Sequence, residues 1–353
     1  MNTVNRIFIP MVLIGLITAG IIWACGENPA ILAEAFSNTF FSPFGLGYTI
    51  YYATPLIFTG LSVALCFHAG LFNIGAEGQL LWGSIAIVAV SHHFSQLPVF
   101  LAIPLGIILA ALAGALWGLI PGYLKAYRGS HEVVVTILLN FIATTWVGYL
   151  ILYPLKNPNT QSAETEIISS TYFIPKFSNA FSWFGTELFR TTPANLSFFI
   201  ALFCALLAHL ILYRSALGYE WRAMGTNFTA ARFAGIRTRT QTLCLFVISG
   251  ALAGLVGVNE VMGSEHKVIE GFSPGYGFSG IAVALVAENN PLGIIASAFL
   301  FGGLQTFARE LEFLSDNISK DISIVLQAIL LIFIACRPWL AKRLLKQRGE
   351  SHD

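Results

Sequence analysis

Residues 71–83, Leu-Phe-Asn-Ile-Gly-Ala-Glu-Gly-Gln-Leu-Leu-Trp-Gly, interrupt a run of membrane-grade hydrophobicity with Asn73, Glu77 and Gln79 and with Gly75 and Gly78. A carboxylate at the centre of a membrane helix costs roughly 2.5–3.5 kcal/mol on insertion scales and is retained where it faces a partner or a water-filled path. Glycine loosens the helix at the same place. Irregular backbone at membrane depth persists only where it is buried in protein or lines a cavity. A second such stretch is 271–280, Gly-Phe-Ser-Pro-Gly-Tyr-Gly-Phe-Ser-Gly. Two broken, Gly-rich polar segments in matching positions of two halves point to a transport pathway.

The composition around them is that of an integral membrane protein. The 353-residue chain is 56% hydrophobic and only 10% charged, where a soluble domain carries about 25% charged residues. Its mean hydropathy is +0.73. Cys25, Cys66, Cys204, Cys244 and Cys336 lie in or beside apolar runs without CxxC spacing. They read as small hydrophobes and imply neither a disulfide framework nor a metal site. Ala-Cys-Gly at 24–26 resembles a signal-peptide processing site, but the apolar run before it is long for a signal core, so an uncleaved first span at 7–25 is the preferred expectation.

A spanning helix needs about 20 mostly apolar residues. Ten spans are expected, at roughly 7–25, 48–68, 73–91, 98–121, 132–153, 195–214, 241–262, 276–290, 291–309 and 321–337. The third and eighth carry the Gly-rich breaks and are candidates for re-entrant segments. A short apolar piece at 29–41 reads as an amphipathic helix on the membrane surface. Lysine and arginine set the orientation. Arg6, Lys125, Arg128, loop 214–240 and the basic tail 338–353 fall on one side, which is assigned to the cytoplasm together with both termini. Loop 154–194, rich in Ser, Thr, Asn and Pro, falls outside. The whole of 1–353 reads as a single transmembrane domain. Spans 2–5 and 7–10 look like two related units, expected to run parallel, with Glu77 near the cytoplasmic end. Gly250, Gly254 and Gly257 read as small-residue helix contacts close to a GxxxG pattern. The adjacent His92 and His93 point in different directions on a helix, and no metal site is expected.

Loop 214–240 is too polar to span. It contains a helix-forming piece, Thr229–Ala234, with Thr226 or Asn227 as N-cap and Gly235 at a C-cap-like position. Such a helix, small residues on one side and arginine on the other, suits either docking into a partner's groove or an ordinary basic inside loop.

Thr229-Ala230-Ala231 followed by Gly235-Ile236 is similar to the Glu-Ala-Ala…Gly coupling motif of permease subunits of ATP-binding-cassette importers, without its acidic residue. Phe72 to Gln79 resembles the signature of the branched-chain amino acid and simple-sugar permease superfamily, and within it the nucleoside-type permeases. Leu124–Val133 with Thr136–Asn140, Ala230–Ile236, Ser249–Gly254, Pro274–Leu285 and Asn290–Gly293 match further blocks of that group in the same order.

The resemblance implies an all-α polytopic permease subunit of an ATP-driven importer in the bacterial inner membrane. It implies cytoplasmic ATPase subunits, a second permease subunit, identical or homologous, and an extracytoplasmic solute-binding protein. No nucleic acid is involved. The chain lacks a GxxxxGK[ST] phosphate loop, so ATP-Mg is expected on the partner ATPase and no cofactor on this chain. Arg222, Thr229, Ala230, Ala231, Arg232, Gly235, Arg237 and Arg239 are the expected ATPase-coupling residues. Asn73, Glu77, Gln79, Asn140, Tyr276, Phe278 and Ser279 are the expected substrate pathway, because amides and hydroxyls exchange hydrogen bonds with ribose and aromatics stack on bases. Structural roles compete with these. Glu77 could pair with backbone amides at a helix break or with Arg128, and Asn140 could make a helix–helix hydrogen bond. The alternatives are an ion-coupled secondary transporter titrating Glu77, or a simple-sugar permease.

Overall fold

The computed structural model describes residues 18–20, 22–23, 26–181, 189, 191–315, 317–319, 321–322, 324–329 and 331–332. The first expected span lies largely outside these residues, the last one in part, and the tail 338–353 wholly so. The helices are α1 (Ile31–Phe40), α2 (Pro43–His68), α3 (Ala76–His93), α4 (Val99–Arg128), α5 (Glu132–Leu152), α6 (Ser197–Arg214), α7 (Ala216–Thr226), α8 (Phe228–Phe233), α9 (Thr238–Gly254), α10 (Tyr276–Val286) and α11 (Pro291–Leu314). A π-helical segment, Val258–Glu265, prolongs α9. Among the described residues six helices are long and apolar enough to cross a membrane: α2, α4, α5, α6, α9 with its π segment, and α11.

The ends of these helices follow from local chemistry. Asn290 Oδ1 accepts from the N–H groups of Leu292 and Gly293, with Pro291 at the first helical position of α11. Gly129 ends α4 in the left-handed conformation at φ +68°.

The chain divides into two compact units, 1–49 with 303–353 and 50–302. In the first, Ile22, Ala35, Ala308, Leu311, Ile318, Ile322 and Leu326 form an apolar cluster. The Arg309 guanidinium lies 3.6 Å from the Tyr48 ring centroid, a cation–π contact that lets a cation sit among apolar helices.

The second unit holds both Gly-rich segments. Its tightest joint is α4 against α9. A Cβ built on Gly114 would strike the Gly250 carbonyl, one on Gly250 the Gly114 carbonyl, and one on Gly254 the Ala110 carbonyl. Only hydrogen at these positions permits backbone-to-backbone approach, the packing that holds membrane helices where water exclusion cannot. Gly257 meets Ser84 of α3 in the same way.

The contacts fix direction. Asn73 meets Ser249 and Gly83 meets Gly254, so α3 runs parallel to α9. Cys66 meets Leu245 and Tyr51 meets Glu260, so α2 runs antiparallel to α9. Thr59 meets Gly280 and His68 meets Asn289, so α10 runs with α2 and against α3. The expected parallel relation between spans 2–5 and spans 7–10 is thereby corrected. Helices α2 and α9, which open them, point in opposite directions, and so do α3 and α10. An odd number of crossings separates the two openings, so their directions reverse.

The segment expected outside, 154–194, is tied to the chain between the π segment and α10. Thr165 N–H donates to the Val268 carbonyl, Ile168 N–H to His266 and Glu270 N–H to Ala163, at 2.8–2.9 Å. Lys267 Nζ lies 2.7 Å from Glu164 Oε2.

Candidate functional site

Both Gly-rich segments are broken helices with a non-helical lead. After α2, residues 71–74 are in no helix, and α3 starts only at Ala76. After the π segment, residues 266–275 wind through Gly271 (φ +73°) and Gly275 (φ +86°) before α10 starts at Tyr276. The two leads enter from opposite ends of the unit, and the two first turns meet. Gly277 N–H donates to Glu77 Oε2 at 2.7 Å. A Cβ on Gly277 would meet the Glu77 backbone, so glycine is what allows the approach. Glu77 lies in the first turn of α3 and at the N-terminus of α10. One carboxylate therefore faces two positive helix ends, the place where a negative charge is most favoured. The lead from Leu71 places Asn73 at the level of Ser249, about 16 Å along α9 at 1.5 Å per residue.

The lead is held by side chains whose hydrogen-bonding capacity goes to the chain itself. Asn73, 1% exposed, donates to Gln79 Oε1 at 2.9 Å and to Ser249 Oγ at 2.6 Å, and accepts from Gly75 N–H at 2.9 Å. Gln79 is fully buried. Asn140 of α5 accepts from Gly78 N–H and donates to the Ile74 carbonyl, both at 2.9 Å. A break in a helix frees backbone donors and acceptors, and in a membrane only the protein can satisfy them. Asn73 and Asn140 do this here. Glu77 takes a backbone amide as its partner.

Tyr276 is buried against a second polar cluster that the sequence reading missed. Glu260, 3% exposed, accepts from Tyr51 Oη at 2.7 Å and from Asn259 Nδ2 at 3.0 Å, and Tyr276 lies against it. Asn259 Oδ1 accepts in turn from Ser197 Oγ at 2.9 Å and Asn195 Nδ2 at 3.2 Å. The signal was present: Asn259-Glu260 interrupts the apolar run 241–262 as Glu77 interrupts its own. A π-helical turn accompanies it, a feature frequent at functional sites. Ser279 is half-buried. Phe278 and Phe72 are exposed at the surface of this chain. The expected pathway residues thus separate into buried Asn73, Glu77, Gln79, Asn140 and Tyr276, half-buried Ser279 and exposed Phe278.

Loop 214–240 folds into α7 and α8. Ser215 caps α7, accepting from Gly218 N–H, and Asn227 caps α8, accepting from Ala230 N–H at 3.0 Å. Gly235, at φ +89°, closes α8 as Ile236 N–H donates to the Ala231 carbonyl. Helix α7 was not foreseen. It is anchored by the fully buried Trp221, whose Nε1 donates to Gln241 Oε1 at 2.8 Å. Ala231 faces inward, whereas Thr229, Ala230 and Arg232 are exposed and Phe233 is 88% exposed. Arg237 and Arg239 are exposed after the turn, and Arg222 lies over the Tyr213 ring. Gly225, near the end of α7, packs on the backbone at His68 and Ala69, where the lead to Glu77 begins. Among the described residues no three His, Cys, Asp or Glu side chains converge as metal ligands.

Comparison with known proteins agrees with this architecture. Residues 45–335 match the family model described as branched-chain amino acid transport system / permease component. The chain is 36% identical to the guanosine ABC transporter permease protein NupP of Bacillus subtilis over 94% of this chain and 93% of that protein. It is 33% identical to the nucleoside ABC transporter permease protein NupB of Lactococcus lactis, over 95% and 92%. Identity is 32% to the glucose ABC transporter permease protein TsgB13 of Haloferax volcanii, over 85% and 78%. With that family model matched over most of its length, the chain belongs to the branched-chain amino acid transport system permease family.

Proposed function

We propose that this chain is the transmembrane permease subunit of an ATP-driven importer for nucleosides or a related small polar solute. The observation that carries this is the likeness to two nucleoside permeases along nearly the whole chain. Two cytoplasmic ATPase subunits hold ATP-Mg and hydrolyse it. A second permease subunit completes the pathway, and an extracytoplasmic binding protein delivers solute. The protein lies in the bacterial inner membrane with both termini cytoplasmic.

The ATPase docks on α8, with Thr229, Ala230 and Phe233 as the contact face and Arg222, Arg232, Arg237 and Arg239 as its charged surround. Motion of α7–α8 passes through Gly225 to Ala69 and Gly70, and so to the lead that positions Glu77. The Glu77–Gly277 joint closes the pathway where two half-helices meet, and opening it requires the two leads to separate. Asn73, Gln79 and Asn140 keep the broken backbone satisfied during that motion, while Phe278 and Ser279 lie on the side that meets solute, with Tyr276 reached only when the joint opens.

Uptake of labelled adenosine and uridine by cells making the whole complex tests the reading. A parallel strain carries an inactivated phosphate-loop lysine in the ATPase. Uptake lost in that strain supports ATP-driven nucleoside import. Persistent uptake would favour an ion-coupled transporter instead. A glucose-transport relative makes sugars the next substrates to try if neither strain takes up nucleoside.

A further inference from the structure

An open pocket of about 670 Å³ lies where the end of α4 meets the α8–α9 turn. Lys125, Arg232, Arg237 and Arg239 line it, and none of its lining residues is acidic. Lys125 is paired with Glu132 at 2.6 Å. Among the described residues Arg232, Arg237 and Arg239 have no ion-pair partner. Like charges gathered without counter-charge repel one another, and an anion in the pocket relieves this.

An apolar track leads to this pocket. Leu112, Leu116, Ile120, Tyr123 and Tyr127 are exposed along one stripe of α4, Leu116 to 65%. Their spacing of three to four residues keeps them on one face of the helix. Tyr123 and Tyr127 stack with ring centroids 5.0 Å apart, and Tyr127 itself lines the pocket beneath Arg239. Apolar side chains, then an aromatic pair, then cations is the order a phospholipid meets from acyl chain to headgroup.

We infer that this pocket binds the headgroup of an anionic phospholipid whose acyl chain lies along the exposed stripe of α4. Free phosphate shares the headgroup chemistry but makes no use of the stripe. The pocket takes the Phe228–Arg232 flank of α8. Thr229 and Phe233, the contact face proposed for the ATPase, lie on a different flank; Arg232, Arg237 and Arg239 are what the two occupants share, and this inference assigns them to the headgroup. The inference stands on the pocket and does not require the proposed substrate.

The test is lipid retention by the purified full-length permease complex, measured by native mass spectrometry after exchange into phosphatidylglycerol or phosphatidylcholine. Wild type is expected to retain phosphatidylglycerol in preference. The double variant R237Q/R239Q is expected to lose about thirtyfold in retention, from about fivefold per cation near an anionic lipid surface. T240E, which places a carboxylate in the pocket, is expected to act the same way. R214Q, outside the pocket, should retain lipid as wild type does. Equal retention of the two lipids overturns the inference, as does unchanged retention in both pocket variants. It is also overturned if inorganic phosphate alone binds as well as phosphatidylglycerol. Loss of the ATPase subunits together with the lipid would make the pocket a protein contact and overturn it equally.

Discussion

Replacing Glu77 by alanine tests the joint at the centre of the permease. The wild-type contact is a 2.7 Å bond from the Gly277 amide to a buried carboxylate that the Ser273 hydroxyl also meets. A hydrogen bond to a charged group contributes about 1.5–3 kcal/mol, and a buried donor left alone costs about 1–3 kcal/mol. These overlap, because the second is part of what the truncation exposes. Loss of the negative charge at two helix N-termini adds to it, at about 0.3–2 kcal/mol in partly buried settings. E77A is therefore expected to destabilise the folded permease by about 3 kcal/mol. E77Q keeps an amide oxygen for the Gly277 N–H and loses only the charge, so about 1 kcal/mol is expected. Equilibrium unfolding of the purified permease in mixed micelles of increasing SDS content measures both. The reasoning is refuted if E77Q is as damaging as E77A. It is equally refuted if both variants fall within about 0.5 kcal/mol of wild type, the range of an uninvolved surface site.

Three further outcomes are expected. G250L drives a side chain into the Gly114 carbonyl; since backbone cannot yield as a side chain can, the loss should reach about 3 kcal/mol, the upper end for overpacking, and normal SDS resistance would discount the α4–α9 joint. Bulky substitutions at Ala231 and Gly235 should leave ATP hydrolysis running in reconstituted complexes while transport stops; unchanged coupling would remove α8 from the mechanism. His266 stacks on Phe173 at 3.6 Å, and burial, helped by nearby Lys176, holds its pKa below the usual 6.5. The unfolded chain therefore binds this proton first, so thermal stability should decline as pH falls below about 6.5. H266N should flatten that decline, and a slope identical to wild type would show that other groups set it.

The order of helices was legible because long apolar runs have one solution in a bilayer. Glycines at 250, 254 and 257 were legible as contacts, because a missing side chain in a membrane helix usually marks a close neighbour. Asn227 and Gly235 marked the ends of α8 through cap chemistry that is local by nature. Three features were not legible. Helix α7 is held by Trp221 against Gln241, a tertiary contact without a local signature. The partners of Glu260 are not legible, because an acid that interrupts an apolar run carries no sign of what it meets. The relation between the two Gly-rich segments was read as parallel, although the direction of each span depends on every crossing before it.

By itself the sequence determined that the chain is a polytopic helical membrane protein with two polar breaks and a capped helix on its basic loop. Those properties follow from hydropathy, charge and cap chemistry, all set by neighbours along the chain. Only the tertiary structure decided that the breaks enter from opposite ends and meet through Glu77 and Gly277, residues two hundred positions apart. It also decided that Asn73, Gln79 and Asn140 spend their hydrogen bonds on the broken backbone. Burial and partnership are properties of packing, and a residue's chemistry alone names what it can bind without naming what it meets.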